Sequence, residues 1–115
     1  MYKKEQYQKG LTGESEAEKY LASLGMTCLE TRFRAEAGEI DLIMLDRGVI
    51  VFVEVKYRPQ SRLGSGLAGI TPGKRQHLLD AARAYIAKKP QQWKLAYLEV
   101  TRAGVFFRED VLHEN

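Results

Sequence analysis

Two short stretches carry carboxylates inside otherwise apolar segments: Gly38-Glu39-Ile40-Asp41-Leu42-Ile43 and Val51-Phe52-Val53-Glu54-Val55-Lys56. Side chains alternate along a strand, so Glu39 shares a face with Asp41, and Glu54 with Lys56. Asp46-Arg47-Gly48 between them reads as a hairpin turn. If Arg47-Gly48 alone makes the turn, Asp46 lies opposite Val49, which sets Asp41 opposite Glu54 and Glu39 opposite Lys56. Opposed like charges, with Cβ atoms about 4.5–5.5 Å apart, repel. Partial burial then raises one carboxyl pKa or demands a counter-ion. Lys56 supplies one positive charge, and a divalent ion supplies more. Mg2+ (or Mn2+) suits a site of one or two carboxylates completed by waters and phosphate oxygens. Two alternatives stay open. A turn with a bulge at Gly48 shifts the pairing by one residue and separates Asp41 from Glu54, and Arg47 is a poor residue for positive φ. Without a metal, Glu39 and Lys56 form a plain cross-strand ion pair on a solvent face.

The charge distribution bears on the partner. The chain holds 18 basic and 15 acidic residues, a net +3. From Val55 to Leu79 there is no Asp or Glu, while Lys56, Arg58, Arg62, Lys74 and Arg75 lie in that stretch. Such a run suits phosphate binding, with nucleic acid as partner and the cations holding its backbone without reading sequence. On charge alone, a solvated face with a flexible loop is the better account. Glu14 continues the apolar stripe Ala17, Leu21, Leu24 backwards by three residues, which tilts it toward the core. A first-turn glutamate is also favoured by the helix dipole, by about 0.3–1 kcal/mol.

These residues must be positioned by a small set of elements. Ala17, Tyr20, Leu21 and Leu24 recur at helical spacing, with Thr12 as a cap and Gly25 as a stop. Strands are expected over residues 27–33, 39–45 and 49–57, rich in β-branched residues. Pro59 to Gly69, with three glycines, reads as a mobile loop. Thr71-Pro72 opens a second helix with the stripe Leu78, Leu79, Ala82, Tyr85 and Ile86, closed by Pro90. A hairpin over residues 94–100 and 105–107 follows. The order α, β, β, β, α, β, β allows a parallel crossover and predicts an α/β fold, a mixed sheet with helices packed on it.

At 115 residues, 44% apolar and 29% charged, the chain has room for one domain, read as residues 11–115 behind a loose polar arm over 1–10. No apolar run approaches the roughly 18 residues of a membrane span, and the charged N-terminus lacks a secretory apolar stretch. A single cysteine, Cys28, makes no internal disulfide, which points to a reducing, cytoplasmic setting. Two histidines and one thiol make no zinc site of the usual kind.

The ordered set Gly13-Glu14 with Ala17, Phe33-Arg34, Gly38-Glu39-Ile40-Asp41, Phe52-Val53-Glu54-Val55-Lys56 with Arg58, then Lys74, Ala82 and Tyr85 resembles the small bacterial YraN-like proteins. These are related to the archaeal Holliday-junction resolvases, within the restriction-endonuclease-like PD-(D/E)XK superfamily. The resemblance implies an αβββαβ core and a metal-dependent nuclease. It implies Asp41 and Glu54 as metal ligands with the Val55 carbonyl as a third, Lys56 as the catalytic lysine, and Glu14 completing the site. Glu39 belongs to the YraN-like motif, and Arg34 joins the backbone-binding cations. Resolvase relatives are homodimers. A catalytically inactive nucleic-acid-binding or protein-interaction module on the same fold is the alternative. The chain departs from the pattern at Arg32, where many relatives carry Asn, and at Lys94-Leu95-Ala96-Tyr97-Leu98-Glu99-Val100, which lacks their aspartate.

Overall fold

Turn chemistry fixes the centre of the sheet. Arg47 and Gly48 both take positive φ, +50° and +84°, which makes the two-residue turn whose twist matches the strands it joins. It connects β2 (Gly38–Asp46) to β3 (Val49–Tyr57). Asp46 therefore lies opposite Val49 and Leu42 opposite Val53, the register of the two-residue turn and not of the bulged one. A left-handed arginine costs about 1–2 kcal/mol, which the strand pairing on either side outweighs.

The computed structural model describes residues 2–109, with side chains from residue 13 onward. Helix α1 spans Tyr2–Ser23, and β1 (Thr27–Ala35) precedes β2. After β3 come α2 (Pro72–Lys88), β4 (Trp93–Thr101) and β5 (Gly104–Glu109). The sheet runs β1-β2-β3-β4-β5. Only β3 and β4 are parallel, joined by the crossover through α2. Thr71 caps α2 by accepting from the Lys74 N–H at 3.1 Å.

The sheet is a middle layer. One face packs Leu42, Val53 and Leu98 against Ala17 and Leu21 of α1. The other packs Ile43, Phe52 and Tyr97 against Leu78 and Ala82 of α2. Gly25, at φ +94°, ends α1 as expected and leaves Leu24 exposed, while Met26 enters the core in its place. Among the described residues no helix is long and apolar enough to cross a membrane.

Two expectations need correction. The polar arm over 1–10 is drawn into α1, which already runs from Tyr2, so Thr12 lies inside the helix instead of capping it. Lys, Glu and Gln are strong helix formers and no proline interrupts residues 2–12, so propensity extends the helix beyond its apolar stripe. Met1 of that arm and residues 110–115 of the domain reading lie outside the described residues. The glycine-rich loop is not loose either. It contains a short 3-10 turn, Leu67–Gly69, and is tied to the sheet by a buried side chain.

Gly13 shows how closely α1 sits on β3: a Cβ there would fall 2.7 Å from Tyr57 Cβ. Gly13→Ala gains about 1 kcal/mol of helix propensity but forces the helix off the strand, at a cost of about 1–3 kcal/mol. The expected net result is a lower melting temperature in thermal denaturation. A variant as stable as the parent or more stable contradicts the close contact.

Candidate active site

β2 and β3 stay in register from the turn as far as Leu42 and Val53. Beyond that point only the outer ladders continue: β2 stays paired with β1, Ile40 opposite Phe33 and Glu39 opposite Arg34. β3 stays paired with β4, Glu54 opposite Tyr97 and Lys56 opposite Glu99. The sheet forks at Asp41 and Glu54. A fork deprives backbone groups of ladder partners, and buried N–H groups must find others. The Asp41 carboxylate fills that role, Oδ2 accepting from the Val55 N–H at 2.8 Å.

The fork also breaks the alternation of β2. Ile40 and Ile43 both pack on the α2 side, whereas Leu42 and Met44 pack on the α1 side. Two residues three apart on one face require a local twist, and Asp41 sits within it. β1 twists to match: Arg32, which its register sets across from Asp41, takes φ +54°. That conformation costs a non-glycine residue free energy and is enriched at functional sites. Asparagine, the residue expected here from the resemblance, tolerates it better than arginine. Arg32 is instead engaged by Glu14, its Nε donating to Oε1 at 3.0 Å.

Within the fork Asp41 and Glu54 share a hydrogen bond between their carboxyls. Burial, then the negative charge of Glu54, push the Asp41 pKa up to about 8, while the Val55 N–H pulls the other way. Glu14 adds a smaller upward push. Glu54 is almost fully buried, and Lys74 Nζ approaches its Oε2 at 3.1 Å. Near neutral pH Asp41 therefore keeps its proton. Among the described residues no group of three His, Cys, Asp or Glu side chains forms a metal cage. The donor set is two carboxylates, the kind that Mg2+ completes with water and phosphate oxygens. Val55, the implied carbonyl donor, lies between Glu54 and Lys56 with its side chain in the α1-side core.

The other expected residues are dispersed around this centre. Lys56 is half-buried, two residues beyond Glu54 on β3. Glu39 does not meet Lys56, because the β2–β3 ladder has ended before it. It pairs with Arg34 across β1–β2 at 2.9 Å, on an exposed edge. Lys74 is committed to Glu54 instead of standing free for a phosphate. Arg58 Nη1 reaches Ser65 Oγ at 3.1 Å and Glu99 Oε1 at 3.7 Å. Arg62 is exposed on the loop, and Arg75 stands half-buried in the first turn of α2.

Glu99 is a further functional residue, to which the sequence pattern assigns no role. Its side chain is fully buried and accepts from the Gly64 N–H at 2.6 Å, the Gly66 N–H at 2.8 Å and the Tyr97 hydroxyl at 2.5 Å. Burial pushes its pKa up, but Tyr97, Gly66, Gly64 and Arg58 together outweigh burial and hold it below the usual value. The available signal was an acid inside the apolar run Leu95 to Val100, two residues from a tyrosine on the same face.

Because folding raises the Asp41 pKa from an unfolded value near 4, the folded protein takes up a proton between about pH 4 and about 8. That stability is full below pH 4 and is lost as pH rises through about 8. The slope is at most about 1.4 kcal/mol per pH unit. Asp41→Asn keeps an acceptor for Val55 and a donor toward Glu54, so it should flatten the slope and melt higher than the parent at pH 8. Thermal melts in chelator from pH 5 to 8.5 check this, and parallel curves for the two proteins would refute it.

Residues 13–112 match the model of an uncharacterised protein family, UPF0102. A UPF0102 protein of Klebsiella pneumoniae is 42% identical over 82 residues, covering 71% of this chain and 64% of that protein. One from Alkalilimnicola ehrlichii is 46% identical over 79 residues, covering 69% of this chain and 63% of that protein. One from Nitrosomonas eutropha is 44% identical over 96 residues, covering 84% and 83%. The match spans slightly less than two thirds of the length of the first two relatives.

Proposed function

The chain belongs to the uncharacterised protein family UPF0102, and from its forked sheet we propose that it is a metal-dependent DNA endonuclease of the PD-(D/E)XK type. The observation that carries this reading is the hydrogen-bonded pair of half-buried Asp41 and almost fully buried Glu54 at the fork, with Lys56 two residues beyond. A purely structural acid pair gains nothing from being held where one member must stay protonated. A pair waiting for a cation gains a site that is assembled in advance.

Asp41 and Glu54 would hold Mg2+ or Mn2+, and Val55 lies close enough in the chain to add its carbonyl. The ion, when bound, polarises the scissile phosphate and lowers the pKa of water. Lys56 orients the attacking water or offsets charge on the phosphorus. Lys74 would hold Glu54 in position through their ion pair. Glu14, held by Arg32, adds negative potential behind Asp41. Arg34, Arg62 and Arg75 would contact the backbone, Arg34 after leaving Glu39, with branched or junction DNA as the substrate class and a second copy of the chain as a natural partner on two-fold DNA. The lone cysteine suits a cytoplasmic setting.

The Lys74–Glu54 ion pair favours a second reading. It neutralises one carboxylate without metal, as a binding module that had lost catalysis would. Linear and branched DNAs incubated with the protein and Mg2+ or Mn2+ separate the two. The nuclease cuts, and Asp41→Asn or Lys56→Ala reduces cutting by about 100-fold or more while binding persists. Cutting that survives Asp41→Asn overturns the site. DNA bound but never cut by the parent leaves the module.

Arg62→Ala removes an exposed phosphate contact. It should weaken DNA binding and reduce the salt slope by about one. An unchanged slope in binding measured across salt concentrations excludes Arg62 from the interface.

A further inference from the structure

Beside Lys56 lies a cavity of about 230 Å³ lined by Lys56, Arg58, Ser65, Gly66 and Gly69. We infer that it is a phosphoryl subsite, holding a phosphate group next to the one being cut. This deepens the nuclease reading and rests on it for its purpose. Two cations and a hydroxyl line the cavity, with no carboxylate among them. The two nearby acids are already engaged, Glu99 by two amides, a phenol and Arg58, and Glu54 by Lys74. The wall therefore carries net positive charge.

The wall is also rigid. Glu99 grips the loop through the Gly64 and Gly66 amides and at the same time fixes the Arg58 guanidinium that reaches Ser65. Gly66 is pressed so close that a Cβ would overlap the Tyr97 hydroxyl, Arg58 and Glu99. A preformed arginine loses less entropy on meeting an anion than a free surface one. The space exceeds many times the roughly 10–15 Å³ that one water needs, so a phosphoryl group with its waters fits it.

The test uses the full chain in chelator, so it is independent of cutting. Inorganic phosphate is titrated against a chloride control at constant ionic strength, and the amide shifts of Ser65, Gly66 and Gly69 are followed by NMR. Saturable shifts confined to these amides are expected. Arg58→Gln should weaken binding about tenfold and Ser65→Ala about fivefold, while Lys94→Gln, whose lysine pairs with Glu109, should leave it unchanged. Ser65→Ala keeps the test decisive if Arg58→Gln loosens the loop. A short single-stranded DNA that displaces phosphate assigns the group to a backbone; one that binds beside it assigns a free phosphate. Shifts absent from these amides, or matched by chloride, overturn the subsite. Loss of cutting with phosphate binding intact would count against the nuclease alone.

Discussion

Two carboxyls placed side by side in partial burial cannot both ionise unless a cation joins them, and much of this fold serves to place them so. The two-residue turn at Arg47-Gly48 sets a register that holds as far as Leu42 and Val53, one residue short of Asp41 and Glu54. The end of the β2–β3 ladder leaves the Val55 N–H to be bound by Asp41. Gly13 lets α1 approach until Glu14 adds its charge behind Asp41. Turn, fork and helix contact all act on the same few atoms.

A second buried carboxylate shows what satisfaction looks like. Glu99 is as deeply buried as any residue in the sheet, yet two amides, a phenol and an arginine keep it ionised. Asp41 has one amide and an acidic neighbour, and holds its proton instead. Hydrogen bonds to the charged form explain the first, and burial beside like charge explains the second. Glu99 fastens a loop. Among the described residues the acid pair at the fork has one cation, Lys74, on Glu54 and none on Asp41, and strain at Arg32 stands next to it. Such local cost is tolerated where a site must be assembled ahead of its ligand.

Most of the architecture was legible in the chain. Alternating apolar residues located β2 and β3, Thr71-Pro72 located α2, and β3 matched its expected bounds. The extension of α1 was hidden because residues 2–12 carry helix propensity without an apolar stripe. The fork was hidden for a different reason. Alternation assumes an unbroken pleat, so it placed Glu39 opposite Lys56, and no local pattern marks where a ladder will part. The roles of Arg32 and Glu99 were not legible because Arg32 meets Glu14 across 18 residues, and Glu99 meets the loop amides across 33 or more, with only Tyr97 close by in the chain.

The carboxyl pair can be tested directly by calorimetric titration of Mg2+ or Mn2+ at pH 7, in buffers of different ionisation enthalpy, so that proton exchange is counted along with heat. Binding should release close to one proton per ion from the parent and almost none from Asp41→Asn. Ion uptake without proton release, or no uptake even with DNA present, would contradict a shared proton that a cation replaces.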